Sequence, residues 1–421
     1  MPDSINRSSL LKWLVDPVQS TSGVAKRAYR FVGDRRAWLV PMALGVALLA
    51  ISLLGLWESP DDFFFAYLVG WSFLLTTALG GLFFLVFNHL TRAHWSVVVN
   101  RINEALVWAF PLLLLLGLPL LFGMHDLYHW THAGLYDPGS PQYDEILAGK
   151  RAYLNTPFWL VRMGVYFAVW TFISYRLYTL SLRQDVRADP EIPAALRSTS
   201  AWGLPLLAVT TAFASYDILM STDPHWFSTI FGVYFFSGGA LGAVATITLV
   251  SLLLQRTGGL LQGVITPEHY HDLGKYLFGF VIFWAYIAFS QYMLYWYGGI
   301  PEETVWFQHR LQGGWAWHSA ALVVFHFLIP FLMLLPQATK RAGTVMAVLS
   351  VWLLGMHWFD LHWVVLPVLR ESGGFHWLDF TCWLGLTGIF AGGLMYRLSR
   401  HPLVPQGHPS LHDSLQFENM Q

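Results

Sequence analysis

Ten long apolar runs constrain the fold of this chain more than any other feature of its sequence. A helix needs about 20 mostly apolar residues to cross roughly 30 Å of hydrocarbon, where its backbone must satisfy its own hydrogen bonds. Only 12% of the residues are charged, against roughly 25% in an average soluble domain. We therefore predict an all-α integral membrane protein whose transmembrane helices are Trp38–Leu56, Phe63–Phe87, Val98–Phe122, Pro157–Leu180, Trp202–Met220, Thr229–Leu254, Lys275–Trp296, Trp315–Leu335, Thr344–Leu366 and Trp377–Leu398.

The runs divide the chain into an N-terminal tail (1–37), a polytopic membrane domain (38–398) and a C-terminal tail (399–421). Lysine and arginine are concentrated on the cytoplasmic side of membrane proteins. With the N-terminus inside, the only ones of the 24 lysines and arginines that fall outside are Lys150, Arg151, Arg162, Arg310 and Arg370. Both tails are therefore predicted to be cytoplasmic. The net charge of -1 gives no reason to expect nucleic acid as a partner.

The stretch from Ala214 to Gly239 places three ionisable residues, Asp217, Asp223 and His225, at the junction of two apolar runs. An ionisable group in or beside a transmembrane helix is costly, so it is usually retained for a proton, ion or cofactor task. Proline fixes φ, lacks a donor and restricts the preceding residue. The Asp223-Pro224 pair is therefore expected to end the helix here and to keep the polar residues at a membrane boundary.

Helix direction brings polar residues of runs five, seven, eight and nine toward the outer side of the membrane. His326 is expected about 12 Å deeper than His318, at 1.5 Å per residue. His357 and Asp360 are three residues apart and share a helix face, on which a carboxylate can orient an imidazole. The converging residues are Asp217, Ser290, Gln291, His318, His326, His357, Asp360 and His362.

A pocket of this composition suits the head group of a quinone, which exchanges protons as its ring exchanges electrons. An imidazole trades protons near neutral pH, and a carboxylate can relay them. For any one of the 17 histidines, a hydrogen-bonding or boundary role is the alternative. The residues predicted to carry proton transfer or to line the pocket are Asp217, His357 and Asp360, with His225, Ser290, Gln291, His318, His326 and His362 as further candidates.

A second polar set lies toward the inner side of the membrane and includes Glu104, Asp272 and Lys275. Glu104 follows Arg101 at helical spacing, and Asp272 precedes Lys275 by three residues. These pairs are either interfacial salt bridges with snorkelling side chains or the inner half of a proton path.

The sequence offers little to hold a redox cofactor. Its single cysteine, Cys382, excludes a four-cysteine iron–sulfur cluster and a covalent c-type haem on this chain. The histidine spacings do not fit two stacked b-type haems, and no close set of Cys and His indicates a metal site. We therefore expect this chain to bind neither a cofactor nor a metal.

Three stretches resemble the ActF-type membrane subunit of alternative complex III, a bacterial quinol:cytochrome c oxidoreductase. This subunit is itself similar to the NrfD/PsrC-like quinone-handling membrane subunits. The stretches are SYDILMSTDPHWFSTIFGVYFFSGG (215–239), HDLGKYLFGFVIFWAYIAFSQYMLYWYGGIPEE (271–303) and HWFDLHWVVLP (357–367), and the resemblance extends over nearly all ten runs. It implies a fold of two four-helix bundles plus two extra helices. The glycine pairs at 80–81, 238–239 and 392–393 agree with such a repeat.

The resemblance also implies the cellular location of the chain and its partner subunits. The location is the bacterial inner membrane, with its quinone pool. The partners are an ActC-like paralogous membrane subunit, a multihaem cytochrome c subunit and an iron–sulfur subunit, and the last two carry the electrons. The paralogue is the better candidate for the working quinol site. The pocket of this chain is then either functional or a degenerate counterpart that conducts protons.

Two functions of other classes stay open. A proton-coupled secondary transporter also uses structural repeats and ionisable residues, but its helices are typically broken near the middle of the membrane. In this chain the breaker Asp223-Pro224 lies at a boundary. A purely structural membrane anchor is the other alternative.

Reporter fusions test the predicted orientation. Fusions after Asp185 and Pro336 should report the cytoplasm, and fusions after Asp144 and Glu371 the opposite side, because the charge distribution requires this alternation. The opposite result at two of these sites would mean that a transmembrane helix was miscounted.

Overall fold

The computed structural model describes residue 31 and residues 36–187 and 189–419, without the side chains of residues 257 and 258. The described residues contain 10 helices long and apolar enough to cross a membrane and no β-strand, which confirms the all-α prediction. The predicted N-terminal tail lies almost wholly outside the described residues. We number the helices α1 to α10: Arg36–Glu58, Pro60–Thr91, His94–Leu121, Thr156–Val186, Ile192–Thr222, Phe231–Arg256, Pro267–Gly298, Gly313–Leu334, Gly343–Val368 and Trp377–Arg400.

Local sequence signals set the helix ends. Thr266 and His269 form a capping box, so α7 begins at Pro267 and not at the predicted Lys275. The Asp223-Pro224 pair lies between the end of α5 and the start of α6, as predicted. Hydropathy alone locates the apolar middle of a helix, whereas capping residues decide how far it extends beyond the hydrocarbon.

The helices form two four-helix bundles, α2–α5 and α6–α9, and α1 and α10 pack together along α2. This arrangement confirms the predicted architecture. The two bundles meet at α2 and α6, whose most apolar windows are 94% and 83% buried, against 17% for α1. We call the side that carries residues 122–155, between α3 and α4, the loop end. The side that carries residues 401–419 is the tail end.

Glycines allow close backbone contact between α2 and α6. A Cβ atom on Gly80 would lie 2.1 Å from the carbonyl oxygen of Gly239. A Cβ atom on Gly239 would lie 2.3 Å from the carbonyl oxygen of Thr76. Small residues let helices approach in this way inside a membrane, where packing drives association. Gly80 and Gly239, one from each of two glycine pairs, therefore meet at the interface between the bundles.

Proline explains the irregular segments of α3 and α8. In α3 the helix is interrupted at Trp108 and Ala109, just before Pro111. In α8 residues Leu322–Leu328 form a π-helical turn that ends just before Pro330. Proline lacks an N–H and crowds the carbonyl four residues earlier, which is His326 in α8. The π-helical turn accommodates this missing hydrogen bond without breaking the helix.

The C-terminal tail packs against the tail end of the membrane domain. Leu403 and Val404 are fully buried. The N–H of Gly407 donates to the Asp185 carboxylate over 3.2 Å, and the hydroxyl of Ser414 donates to the carbonyl of Trp95 over 2.8 Å. The described part of the tail is therefore an integral layer of the fold.

A Gly239→Ala substitution should destabilise the protein by more than about 2 kcal/mol, because the added methyl group meets backbone that cannot move away. Thermal unfolding in a mild detergent measures the effect. Gly279→Ala is the matched control: a Cβ atom there has nothing within 4 Å. It should be neutral or stabilising by up to about 1 kcal/mol. Equal melting temperatures for the two variants would contradict the close contact.

Candidate functional site

Asp360 is the buried centre of the site, with 2% of its surface exposed. It lies on α9 and receives hydrogen bonds from two neighbouring helices. The hydroxyl of Tyr234 on α6 donates to one carboxylate oxygen. The indole N–H of Trp284 on α7 donates to the other over 3.0 Å. Both donors are neutral, so the carboxylate is held in place without a cation bound to it.

His357 lies one turn before Asp360 and is equally buried. Its Nε2 atom is 2.8 Å from the hydroxyl oxygen of Thr76, which also lies within hydrogen-bond distance of the Ser72 and Phe73 carbonyls. If the threonine proton goes to a carbonyl, the proton of the imidazole is on Nε2 and Nδ1 keeps its lone pair. Nδ1 has no hydrogen-bond partner among the described residues.

Gly238 makes room for the His357 ring. A Cβ atom on Gly238 would lie 2.7 Å from Cε1 and 2.8 Å from Nδ1 of that ring. No hydrogen bond joins His357 to Asp360, so the predicted orientation of the imidazole by the carboxylate is wrong. The reason is that each side chain is held by a different helix. A void of about 10 Å³ lined by both residues, Gly238 and Tyr234 has the size of one water molecule.

A cavity of about 550 Å³ lies on the other side of Tyr234 and Trp284. It is enclosed by α6 to α9 and the short helix Pro301–Leu311, and its wall is mostly aromatic. Phe289, Val323 and Leu311 line it and are exposed on the outer surface of the helices, so it opens sideways. The opening therefore faces the hydrocarbon rather than the ends of the bundle.

Few polar groups reach this cavity. Gln291 lines it, is 3% exposed, and its side-chain carbonyl oxygen has no hydrogen-bond partner among the described residues. Ser319 also lines it and accepts a hydrogen bond from Trp363 over 2.8 Å. An apolar cavity with a few convergent polar groups is the usual form of a small-molecule site. Gln291 is a predicted candidate that the structure brings into this cavity.

Arg310 fixes the loop-end wall of the cavity. Its guanidinium donates to the carbonyls of Trp306, Trp363 and Val364, at 2.8, 3.2 and 2.6 Å, and lies over the Trp306 ring. Burial lowers the pKa of Arg310 to about 9, against the opposing effects of the Asp223 and Tyr234 charges. It is therefore charged at neutral pH, and this positive charge interacts favourably with the carbonyl dipoles at the C-terminal end of α9.

His326 is fully buried on the π-helical turn of α8. Its ring stacks on Trp284 with centroids 4.0 Å apart and planes 16° apart. Neither ring nitrogen has a hydrogen-bond partner among the described residues. His326 thus contacts the indole that donates to Asp360.

His318 and His362 form a separate cluster nearer the loop end. Their rings are stacked with centroids 5.8 Å apart. Nε2 of His362 lies 3.3 Å from Asp379 of α10, which also pairs with Arg370 over 2.8 Å. Burial alone would lower the pKa of Arg370, but its contacts with Asp379 and Asp62 raise it above the usual value. The structure thus divides the predicted outer histidines between two clusters.

Asp217 does not face this site, and the prediction of one shared pocket is wrong for α5. Its carboxylate accepts two hydrogen bonds from Arg162 and one from Tyr166, each 2.8 Å long. Both partners lie on α4, in the first bundle. Counting residues gives the depth of Asp217 but not the direction in which it points. A fully paired carboxylate of this kind is a structural element of the α4–α5 contact.

The other candidates lie apart from the cavity. His225 is half exposed at the loop end and bonds to Asp144 over 2.6 Å. Burial alone would raise the pKa of Asp144, but the Leu147 N–H and His225 bring it below its usual value. Ser290 is half-buried and lines neither cavity described above.

The predicted tail-end pairs are formed. Arg101 lies 3.0 Å from Glu104 and 2.5 Å from Asp185, and all three side chains are buried. Asp272 and Lys275 form an ion pair. The described residues bring together no three His, Cys, Asp or Glu side chains in a metal-binding arrangement, and the absence of a bound metal or cofactor stays a prediction.

Sequence reasoning missed Tyr234, Trp284 and Thr76, which hold the two central residues. No signal marks them, since the chain has 18 tyrosines and 21 tryptophans and their partners lie on other helices. Asp379 was also missed, although a carboxylate near the start of an apolar run, three residues after His376, is the pattern of a helix cap.

Asp217→Asn should destabilise the protein by about 3 kcal/mol, because it leaves the Arg162 guanidinium buried beside a neutral partner. Thermal unfolding in detergent measures this. Asp61→Asn, at an exposed position of the same end, is the control and should change stability by less than about 0.5 kcal/mol. The double variant Arg162→Met, Asp217→Leu should recover most of the loss. A single variant as stable as the control would contradict the structural role of the pair.

Comparison with known protein families finds none that matches this chain, and comparison with curated proteins finds none of significant similarity.

Proposed function

We propose that this chain is a membrane subunit of a respiratory quinol:electron-acceptor oxidoreductase of the alternative complex III type, and that its cavity binds the quinone head group. The observation that carries the proposal is the aromatic cavity of about 550 Å³, which opens toward lipid and has Tyr234 and Trp284 in its wall. Behind that wall both residues donate hydrogen bonds to the buried Asp360.

The cavity matches the physical properties of a membrane quinone. Its volume lies within the roughly 300–1,000 Å³ of small-molecule sites. A quinone is dissolved in the bilayer, so an opening between lipid-facing residues such as Phe289 and Val323 gives it direct access. Stacked aromatic rings accept a flat head group, and the unpartnered oxygen of Gln291 can accept a hydrogen bond from a quinol hydroxyl.

Asp360 and Tyr234 supply the proton chemistry. Oxidation of a quinol releases two protons and two electrons. As an O–H bond of the quinol breaks, Tyr234 accepts that proton and passes its own to the Asp360 carboxylate, which becomes neutral. The second proton follows after Asp360 has released the first into the water-sized void that it lines together with His357. The two electrons pass to a redox centre of a partner subunit, and this chain takes part only in the proton transfer.

The resemblance to the ActF-type subunit supports the same proposal. The three stretches that carry it contribute the site: Tyr234 in 215–239, Trp284 and Gln291 in 271–303, and Asp360 in 357–367. The partners of this chain are then those of such a complex, namely an ActC-like paralogue, a multihaem cytochrome c subunit and an iron–sulfur subunit. Its location is then a bacterial inner membrane, with both tails of the chain in the cytoplasm.

The test uses the intact complex, isolated in a mild detergent through a tag on this chain. Asp360→Asn keeps the size of the side chain but removes the titrating charge. Quinol turnover should fall at least roughly 10²-fold, the usual effect of a lost acid–base group, while quinone binding measured by tryptophan fluorescence quenching persists. Ala288→Phe fills the cavity, so it should abolish both binding and turnover.

Val351→Phe is the control for the second variant, since it adds the same ring at a lipid-facing position of α9 and should leave both measurements unchanged. Normal turnover in both Asp360→Asn and Ala288→Phe would overturn the quinol site and leave a degenerate or structural subunit. Isolation of the chain without cytochrome or iron–sulfur polypeptides, together with proton-driven substrate uptake in vesicles, would favour the secondary transporter.

A further inference from the structure

A second cavity, of about 100 Å³, lies at the tail end, far along the helices from the quinone cavity. It is enclosed by the ends of α2, α3 and α5 and by the C-terminal tail. Arg92, His94 and Pro409 line it and are exposed, so it opens at the surface. Nothing in the proposed function uses this cavity.

Buried polar groups without partners line this cavity. Asn88 is 3% exposed, and neither atom of its amide group has a hydrogen-bond partner among the described residues. The same holds for the side-chain oxygen of Asn100, at 4% exposure, and for Nε2 of His89, at 9%. Native proteins pair nearly all buried polar atoms, with protein, water or ligand. Three such residues around one cavity therefore leave several hydrogen-bonding groups that a ligand or water can pair.

The charges around the cavity favour an anion. Arg92 and Arg197 line it, and neither forms an ion pair with a described residue. The lining residue His94 lies 3.8 Å from the carboxylate of Asp413, and both of these side chains are exposed. Burial, with a further effect of His94, lowers the pKa of His408 to about 4, so this lining residue is neutral.

Two helix N-termini add to the positive potential. The cavity touches His94 and Val97 at the start of α3 and Pro193 and Arg197 in the first turns of α5. The helix dipole favours negative charge at such ends. Most of the first N–H groups are already paired here, since those of Ser96, Val97 and Ala195 bond to protein carbonyls and that of Val98 bonds to the Ser414 hydroxyl. The two arginines, the two asparagines and both helix starts thus line one small volume.

We propose that this cavity binds a phosphate group, carried either by the head group of an anionic lipid or by free phosphate. Guanidinium groups match phosphate oxygens with paired hydrogen bonds. On the measure by which the void beside Asp360 holds one water molecule, a volume of about 100 Å³ has room for one phosphate group and hydroxyls beside it. The unpartnered amide oxygens of Asn88 and Asn100 can accept hydrogen bonds from hydroxyls beside that phosphate, such as those of a glycerol head group.

Thermal unfolding of the full chain in mild detergent tests the proposal with three probes. These are phosphatidylglycerol, phosphatidylcholine and inorganic phosphate. A ligand that binds the folded state raises the melting temperature as its concentration rises. Phosphatidylglycerol should raise it and phosphatidylcholine should not. An equal rise with inorganic phosphate at the same concentration identifies free phosphate as the source, and no rise with it identifies the lipid.

The double variant Arg92→Gln, Arg197→Gln should bind roughly tenfold or more weakly, as expected for lost charge-assisted hydrogen bonds. Arg183→Gln, an exposed arginine at the same end, is the matched control and should respond like the wild type. Asn88→Leu should melt higher than the wild type without ligand, because it removes an unpartnered amide, yet lose most of the ligand-dependent rise. A wild-type response in the double arginine variant or in Asn88→Leu, or no response of the wild type to either phosphate probe, would overturn the proposal.

Discussion

The close contact between α2 and α6 is the constraint on which the rest of the structure depends. At Gly80 and Gly239 the two backbones are too near for any side chain. This contact fixes the rotation of α6, so that Gly238 and Tyr234, on an adjacent face, meet α9. It also places α2 near enough for Thr76 to bond His357. The interface between the bundles thus positions both central residues of the site.

The two buried aspartates show how the partner of a carboxylate decides what it can do. Asp217 is bound to a permanent cation, Arg162, and gaining a proton would leave that cation uncompensated in a buried position. Asp360 is bound to the neutral donors Tyr234 and Trp284. It can change its charge without breaking an ion pair, and one of its donors can itself exchange a proton. The first pair therefore stabilises a bundle, and the second arrangement suits proton transfer.

The spans and the depth of most polar residues could be predicted from the sequence, because hydropathy and helical rise determine them, whereas the two bundles were implied by the resemblance to the ActF-type subunit. The direction in which a residue points could not be predicted. Helix α9 has no distinct apolar side opposite His357 and Asp360, so hydropathy does not mark which neighbours that face meets. The depth of Asp217 on α5 likewise does not identify the helix that it faces. Tyr234 and Trp284 acquire their roles only from contacts between helices that are distant in sequence.

The π-helical turn of α8 sets the rotation of one half of this helix relative to the other, because it contains one residue more than a regular α-helical turn. His318 lies in the half at the loop end, against His362, and His326 lies within the turn, against Trp284. Each residue of an α-helix advances about 100° around the axis. Deleting one residue from Leu322–Leu328 would restore a regular helix and rotate one half by about that angle. The extra residue of the turn therefore determines the directions in which His318 and His326 point relative to each other.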